Sequence, residues 1–209
     1  MRIITGKARG KRLQTPEGLH TRPTTERVKE SVFSIVQWDI EGRKALDLFG
    51  GSGQLGLEAV SRGAESCVIV ESDRGAQKVI ESNIRGCKFE SQCRLVCGDA
   101  FQFLQRQKKD SFGLIFLDPP YGGELLNRAL QEICRIDILS EGGIIICESG
   151  ENCRCLRLTG CCGGITTAIP PWSPSQRAAK RHEDGHGLRD LRPGNAGSCG
   201  SGGAGLPAV

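Results

Sequence analysis

The sequence has 209 residues, 38% hydrophobic and 25% charged, which suits one globular domain with appendages and excludes two large ones. No run approaches the roughly 18 uninterrupted apolar residues of a membrane span, and Met1–Lys7 has no apolar segment behind its charge to act as an export signal, so a cytosolic protein is expected. The net charge is only +4, yet residues 1–29 hold eight Lys or Arg against two Glu, a cluster that is either a solvated face or an attractor of polyanions through counterion release.

Taken in chain order, Arg2–Leu13 alternates, with Gly6 and Gly10 as turn points, and predicts a small basic hairpin. Thr24 or Thr25 then caps a helix over Arg27–Val36, with Pro23 compatible with its start and Val28, Val32, Ile35 and Val36 on one face. Trp38 is expected to pack against this helix. From residue 44 to 148 short apolar runs alternate with amphipathic stretches. Strands are predicted at Ala45–Phe49, Cys67–Glu71, Arg94–Cys97, Leu114–Leu117 and Ile144–Glu148. Helices fall between them near Gln54–Arg62, Arg74–Gly86, Ala100–Lys108 and Glu124–Leu139. Strands this apolar are covered on both faces, which makes the core an α/β domain with a doubly wound, mostly parallel, Rossmann-like sheet. The expected division is 1–40 for the basic hairpin and helix, 41–150 for the α/β domain, and 151–209 for an atypical tail.

That tail holds eleven Gly, five Pro and five Cys, with no sustained apolar period and no convincing strand to close the sheet. The codons of His182-Glu183-Asp184-Gly185, shifted by one base, allow Met-Lys-Met or Met-Lys-Thr. The same shift lets Asp190–Ser198 encode Thr-Phe-Asp-Pro-Val-Thr-Leu-Gly-His, which resembles the nucleotide-binding opening of a phosphopantetheine adenylyltransferase-like enzyme. The tail is therefore read as disordered or out of frame. The eleven cysteines follow no repeated spacing and are read as free thiols. Cys153, Cys155, Cys161, Cys162, His182 and His186 lack the spacing of a zinc site, so no metal is expected.

Three strand ends carry acids. Asp47-Leu48-Phe49-Gly50-Gly51-Ser52-Gly53-Gln54-Leu55-Gly56 joins a predicted strand to a predicted helix. Its glycines permit a tight turn and close backbone approach, but they also spell G-x-G-x-x-G, so the glycines alone leave a dinucleotide open. Asp47 tips the reading, because a carboxylate suits the ammonium of an amino-acid cofactor and repels a pyrophosphate. Glu71, followed by Ser72, is either an acceptor for two ribose hydroxyls or an exposed strand-end acid. Asp99, followed by Ala100, either accepts from an adenine amino group or caps the next helix, and the two roles are compatible. Acids after three successive strands converge on the carboxyl edge of the sheet, where open α/β folds bind ligands, and together they fit S-adenosyl-L-methionine.

Asp118-Pro119-Pro120-Tyr121 is the most specific signal. Two prolines fix their φ angles and donate no N–H, leaving the Asp118 carboxylate and the Pro119 carbonyl as acceptors. Acceptors on the N–H bonds of an exocyclic base amine orient it towards a sulfonium methyl, and Tyr121 offers a stacking surface for a base drawn out of its helix.

These segments, with Arg2-Ile3-Ile4-Thr5-Gly6, Arg9-Gly10-Lys11-Arg12-Leu13, Arg22-Pro23-Thr24-Thr25-Glu26-Arg27-Val28-Lys29-Glu30 and Glu71-Ser72-Asp73, resemble the bacterial 16S rRNA guanine-N2 methyltransferases of the RsmD type across residues 2–150. The Asp-Pro-Pro-Tyr loop is shared with many amino-methylating enzymes, while the Arg-Pro-Thr-Thr-x-Arg-Val segment is the more family-specific. The resemblance implies S-adenosyl-L-methionine as donor and a guanine amino group of 16S rRNA, on an assembling small subunit, as acceptor. It implies catalysis by Asp118, Pro119, Pro120 and Tyr121, and cofactor binding by Asp47, Phe49, Gly50, Gly51, Gly53, Glu71, Ser72, Asp99 and Ala100. Arg2, Lys7, Arg9, Lys11, Arg12, Arg22, Thr24, Thr25, Arg27 and Lys29 would meet the RNA, in a monomer. Three readings compete: a DNA adenine amino-methyltransferase, a dinucleotide-dependent oxidoreductase, and a non-catalytic RNA-binding or inactive product lacking the closing hairpin.

Overall fold

The structure, a computed structural model, describes residues 1–16, 26–120, 123–149, 152–158 and 165–166. All of these fall within one unit, Met1–Ser173.

Five apolar segments pair in parallel: β1 (Lys44–Asp47), β2 (Ser66–Glu71), β3 (Cys93–Cys97), β4 (Phe112–Leu117) and β5 (Leu139–Ser149). The sheet runs β3-β2-β1-β4-β5, reversing direction of growth at β1, and the crossovers are α2 (Gln54–Ser61), α3 (Arg74–Cys87), α4 (Ala100–Leu104) and α5 (Gly123–Ile136). Every residue of β4 is buried, as a central strand covered on both faces requires. One core layer joins Leu57, Val60, Ile69, Ile80 and Phe116, and the other joins Leu46, Phe101, Leu104, Ile115 and Ile133.

Several expectations change. The sheet does not end at β5: β6 (Asn152–Leu158) pairs antiparallel with β5, and β7 (Ile165–Thr166) with β6. The alternation Cys153-Arg154-Cys155 reads as a cysteine cluster in one dimension, but cysteine packs as a small hydrophobe and suits a strand. The remaining tail, 159–164 and 167–209, lies outside the described residues. Helix α4 stops at Leu104 rather than Lys108, because Arg106–Asp110 contains no apolar residue to hold another turn against the sheet. Trp38 does not pack on the preceding helix, α1 (Glu26–Ile35). A turn from Val36 to Asp39 buries Val36 and Ile40 and leaves Trp38 88% exposed.

The basic hairpin is part of the core and not an appendage. Ile3 and Leu13 are buried in the same apolar cluster as Val32, Phe33 and Leu57, and the predicted Gly6 and Gly10 turns both have positive φ. An ideal Cβ on Gly6 falls 1.7 Å from the Ser61 carbonyl oxygen, so only glycine allows the hairpin to lie this close to α2. Glu58, fully buried on α2, holds the hairpin with its two oxygens. They accept from the Ile4 and Thr5 amides at 2.8 and 3.0 Å, from Arg62 at 2.8 Å, and pair with Lys29 at 3.3 Å.

Candidate active site

The register of the sheet sets the site. Asp47 on β1 stands abreast of Ile69 on β2 and Phe116 on β4, so Glu71 and Asp118 each lie two residues farther along, flanking the chain as it leaves β1. Gly98 donates to the Glu71 carbonyl at 2.9 Å, which brings the end of β3 to the same edge. The acids predicted at these strand ends therefore do converge on the carboxyl edge, at the point where the strand order reverses.

Asp47 is fully buried. One carboxyl oxygen accepts from the Gly56 amide at 3.0 Å; the other, Oδ1, has no partner. Burial pushes this carboxyl from 3.8 up to about 8; the Gly56 hydrogen bond opposes the shift, and Asp118 and Glu71 add to it through like-charge repulsion. The three acids are thus electrostatically coupled as well as adjacent. A second buried acceptor, Gln54 Oε1, is also unpartnered. Two orphan acceptors at one glycine loop signal a missing donor, and a ligand ammonium supplies one. Gln54 was not singled out from the sequence; its place inside the loop motif was the available signal.

The loop conformation follows from its glycines. Gly51 and Gly53 adopt φ of 56° and 76°, and a Cβ on Gly51 would project into open space, leaving its backbone approachable by a ligand. A Cβ on Gly50 would fall 2.5 Å from Ile69, so that glycine serves packing. Phe49 is half-buried against the second core layer. Glu71 braces the loop: its oxygens accept from the Gly51 amide at 2.7 Å and the Asp73 amide at 2.8 Å. Asp99 takes the capping role, with one oxygen accepting from Phe101 and Gln102 at 3.0 and 2.9 Å, while Ala100 is buried behind it and Ser72 is exposed. Beyond β4, Asp118 and Pro119 are half-buried and Pro120 is exposed. Tyr121 lies outside the described residues.

Among the predicted RNA contacts, Arg2, Lys7, Arg9, Lys11, Arg12 and Arg27 are exposed, and Arg22, Thr24 and Thr25 lie outside the described residues. Arg2 makes an exposed ion pair with Glu26 at 3.4 Å, a contact weak enough to exchange for a phosphate. Lys29, expected among them, is turned inward. Its side chain is fully buried, with Nζ donating to the Arg2 carbonyl at 2.6 Å and pairing with Glu58, so it cannot meet a phosphate. Burial lowers its ammonium pKa against the raising effect of Glu58. The exposed bases are also spread out. The Lys7 amide bonds to Ser61 at the end of α2, about 12 Å from the glycine loop at roughly 1.5 Å per helical residue.

No group of three or more His, Cys, Asp or Glu among the described residues is placed to hold a metal, and no described helix is long and apolar enough to cross a membrane.

The parallel sheet, the glycine loop and the acids at its carboxyl edge define a Rossmann-like methyltransferase. Residues 1–165 match the family described as Conserved hypothetical protein 95, and the chain belongs to it, the RsmD family. Among its relatives, Bacillus subtilis YlbH is 39% identical over 150 residues, covering 71% of this chain and 82% of that protein. The Escherichia coli protein named ribosomal RNA small subunit methyltransferase D is 36% identical over 149 residues, covering 71% and 74%. The solved structure of Escherichia coli yhhF superimposes with a TM-score of 0.64 at 34% identity, covering 71% of this chain and 80% of that one.

Proposed function

We propose that the protein transfers a methyl group from S-adenosyl-L-methionine to the exocyclic N2 amine of a guanine in 16S rRNA. The observation that carries this reading is the crowding of Asp118 and Glu71 around buried Asp47, which sets the Asp-Pro-Pro loop beside the glycine loop. The names of the relatives supply the RNA class.

When bound, the cofactor supplies an electrophilic methyl on a sulfonium. Asp47, with its unpartnered Oδ1, is suited to receive the cofactor's ammonium, with Gln54 offering a second acceptor. Glu71, although it braces the loop, keeps lone pairs for ribose hydroxyls, and Asp99 keeps one oxygen for an adenine amine. At the other side Asp118 and the Pro119 carbonyl accept from the two N–H bonds of the target amine. This holds its nitrogen towards the donor and stabilises the positive charge that grows as the N–C bond forms. Loss of one N–H proton then completes the neutral product, with Asp118 the nearest acceptor by role. The exposed bases of the hairpin meet phosphates and place the RNA without choosing the base. Tyr121 is assigned to stack on the withdrawn base.

The test is Asp118→Ala, assayed with radiolabelled cofactor on 16S rRNA and by titration with S-adenosylhomocysteine. Methyl transfer is expected to fall at least a hundredfold with cofactor affinity changed less than threefold. Retained turnover refutes the role of Asp118.

A further inference from the structure

We infer that Asn83, a residue of α3 outside the cofactor and base-binding sets, couples the cofactor loop to the basic hairpin, so that binding of S-adenosyl-L-methionine and binding of RNA reinforce each other. The inference rests on the function proposed above. Asn83 is buried at 3% exposure and makes three hydrogen bonds to three main-chain groups on two separate segments. Its Oδ1 accepts from the Gln14 amide at 2.8 Å. Its Nδ2 donates to the Gln14 carbonyl at 3.0 Å and to the Ser52 carbonyl at 2.9 Å. Gln14 directly follows Leu13, whose amide donates to the Met1 carbonyl at 3.0 Å and closes the hairpin that carries Arg2 to Arg12, and Ser52 stands between the left-handed glycines 51 and 53 of the cofactor loop. A second contact repeats the link: Ser52 Oγ donates to the Met1 sulfur at 3.4 Å.

The chemistry of the position admits few replacements. One acceptor and two donors on a short side chain are needed at once, and only a primary amide supplies them. A residue that served the packing of its own helix alone would need no polar group. Here the amide instead reaches across to the strand exit of the hairpin and to the loop that changes its surroundings when a ligand fills it. A loop held by this amide transmits any shift of the Ser52 carbonyl to Gln14, and the reverse path is obligatory because coupling between two binding sites is reciprocal. Asn83 is therefore a positioning residue.

The experiment measures the affinity of S-adenosylhomocysteine with and without saturating small-subunit particles from cells lacking this gene, in the wild-type chain and in Asn83→Leu. For the wild type a tightening of about fivefold or more is expected, the lower range of measured couplings. For Asn83→Leu the factor falls towards one while each ligand still binds alone. A wild type that binds both ligands with no mutual effect, or a variant that keeps the full factor, overturns the inference and leaves the proposed function standing. Failure of the wild type to bind either ligand overturns the proposed function instead. A second measurement needs no variant, and so stands even where Asn83→Leu fails to fold: amide hydrogen exchange with S-adenosylhomocysteine alone. Exchange at Gln14 slows severalfold along with that at Gly51–Gly53. Slowing confined to the glycine loop refutes the coupling.

Discussion

Replacing Asp47 by Asn isolates the cost of holding a carboxyl in this site. The carboxyl has a pKa near 3.8 in the unfolded chain and is pushed to about 8 in the fold, chiefly by burial. The folded state therefore keeps a proton that the unfolded state releases. Its contribution is fully present below pH 3.8 and is lost progressively as pH rises towards 8. At pH 7 the loss covers about three pH units, or about 4 kcal/mol at roughly 1.4 kcal/mol per unit. Asn keeps the shape and an acceptor for the Gly56 amide but does not titrate. Without cofactor, Asp47→Asn is thus expected to match the wild type near pH 4 and to melt about 10 °C higher at pH 7, at a few degrees per kcal/mol for a chain of this size. Calorimetric scans across pH 4–8 measure the gap. The same variant loses the partner for a ligand ammonium. Wild-type affinity for S-adenosylhomocysteine is expected to rise by up to tenfold per unit as pH approaches 8, while the Asn variant binds weakly and without that slope. A variant no more stable than wild type at pH 7, or a stability gap that shrinks as pH rises, refutes the description of Asp47 as a buried, ligand-starved acid.

The remaining predictions concern the hairpin. Glu58→Gln leaves Lys29 buried without its counter-charge and is expected to cost about 3–5 kcal/mol in denaturant unfolding, whereas the double replacement Lys29→Met with Glu58→Gln recovers part of that loss. Gly6→Ala forces a methyl onto the Ser61 carbonyl at a positive φ and is expected to cost about 3 kcal/mol, with the greatest loss of exchange protection at the Lys7 and Ala8 amides. Neutralising Lys7 and Arg9 together is expected to lower the slope of log affinity for RNA against log salt by up to about two, leaving cofactor binding unchanged.

Much of the fold is legible in one dimension because the parallel strands are apolar runs bounded by loops, and burial on both faces writes that pattern directly. The positions of Asp47, Glu71, Asp99 and Asp118 follow from it, since each stands where a strand ends. What was misread depends on partners distant in sequence. Lys29 looks like one more cation of a basic arm, and only the presence of Glu58, itself conspicuous between the apolar residues Leu57 and Ala59, turns it inward. Asn83 carries no signal in the amphipathic pattern of its helix, because its partners are main-chain groups of residues 14 and 52. Trp38 is read as packing on the helix from its nearness to Ile35 and Val36, but the helix ends at Ile35 and the following turn carries the ring into solvent. The strand β6 carries a weak signal because its cysteines, leucines and arginines alternate without any of the β-branched or aromatic residues that usually mark a strand.

The most direct measurement is to incubate the protein with methyl-labelled S-adenosyl-L-methionine and either small-subunit particles from cells lacking this gene or duplex DNA, then digest to nucleosides and identify the labelled product by mass. Label in N2-methylguanosine from 16S rRNA is the expected result. Label in N6-methyladenosine or in DNA, or none in either substrate from a chain that binds S-adenosylhomocysteine, contradicts it.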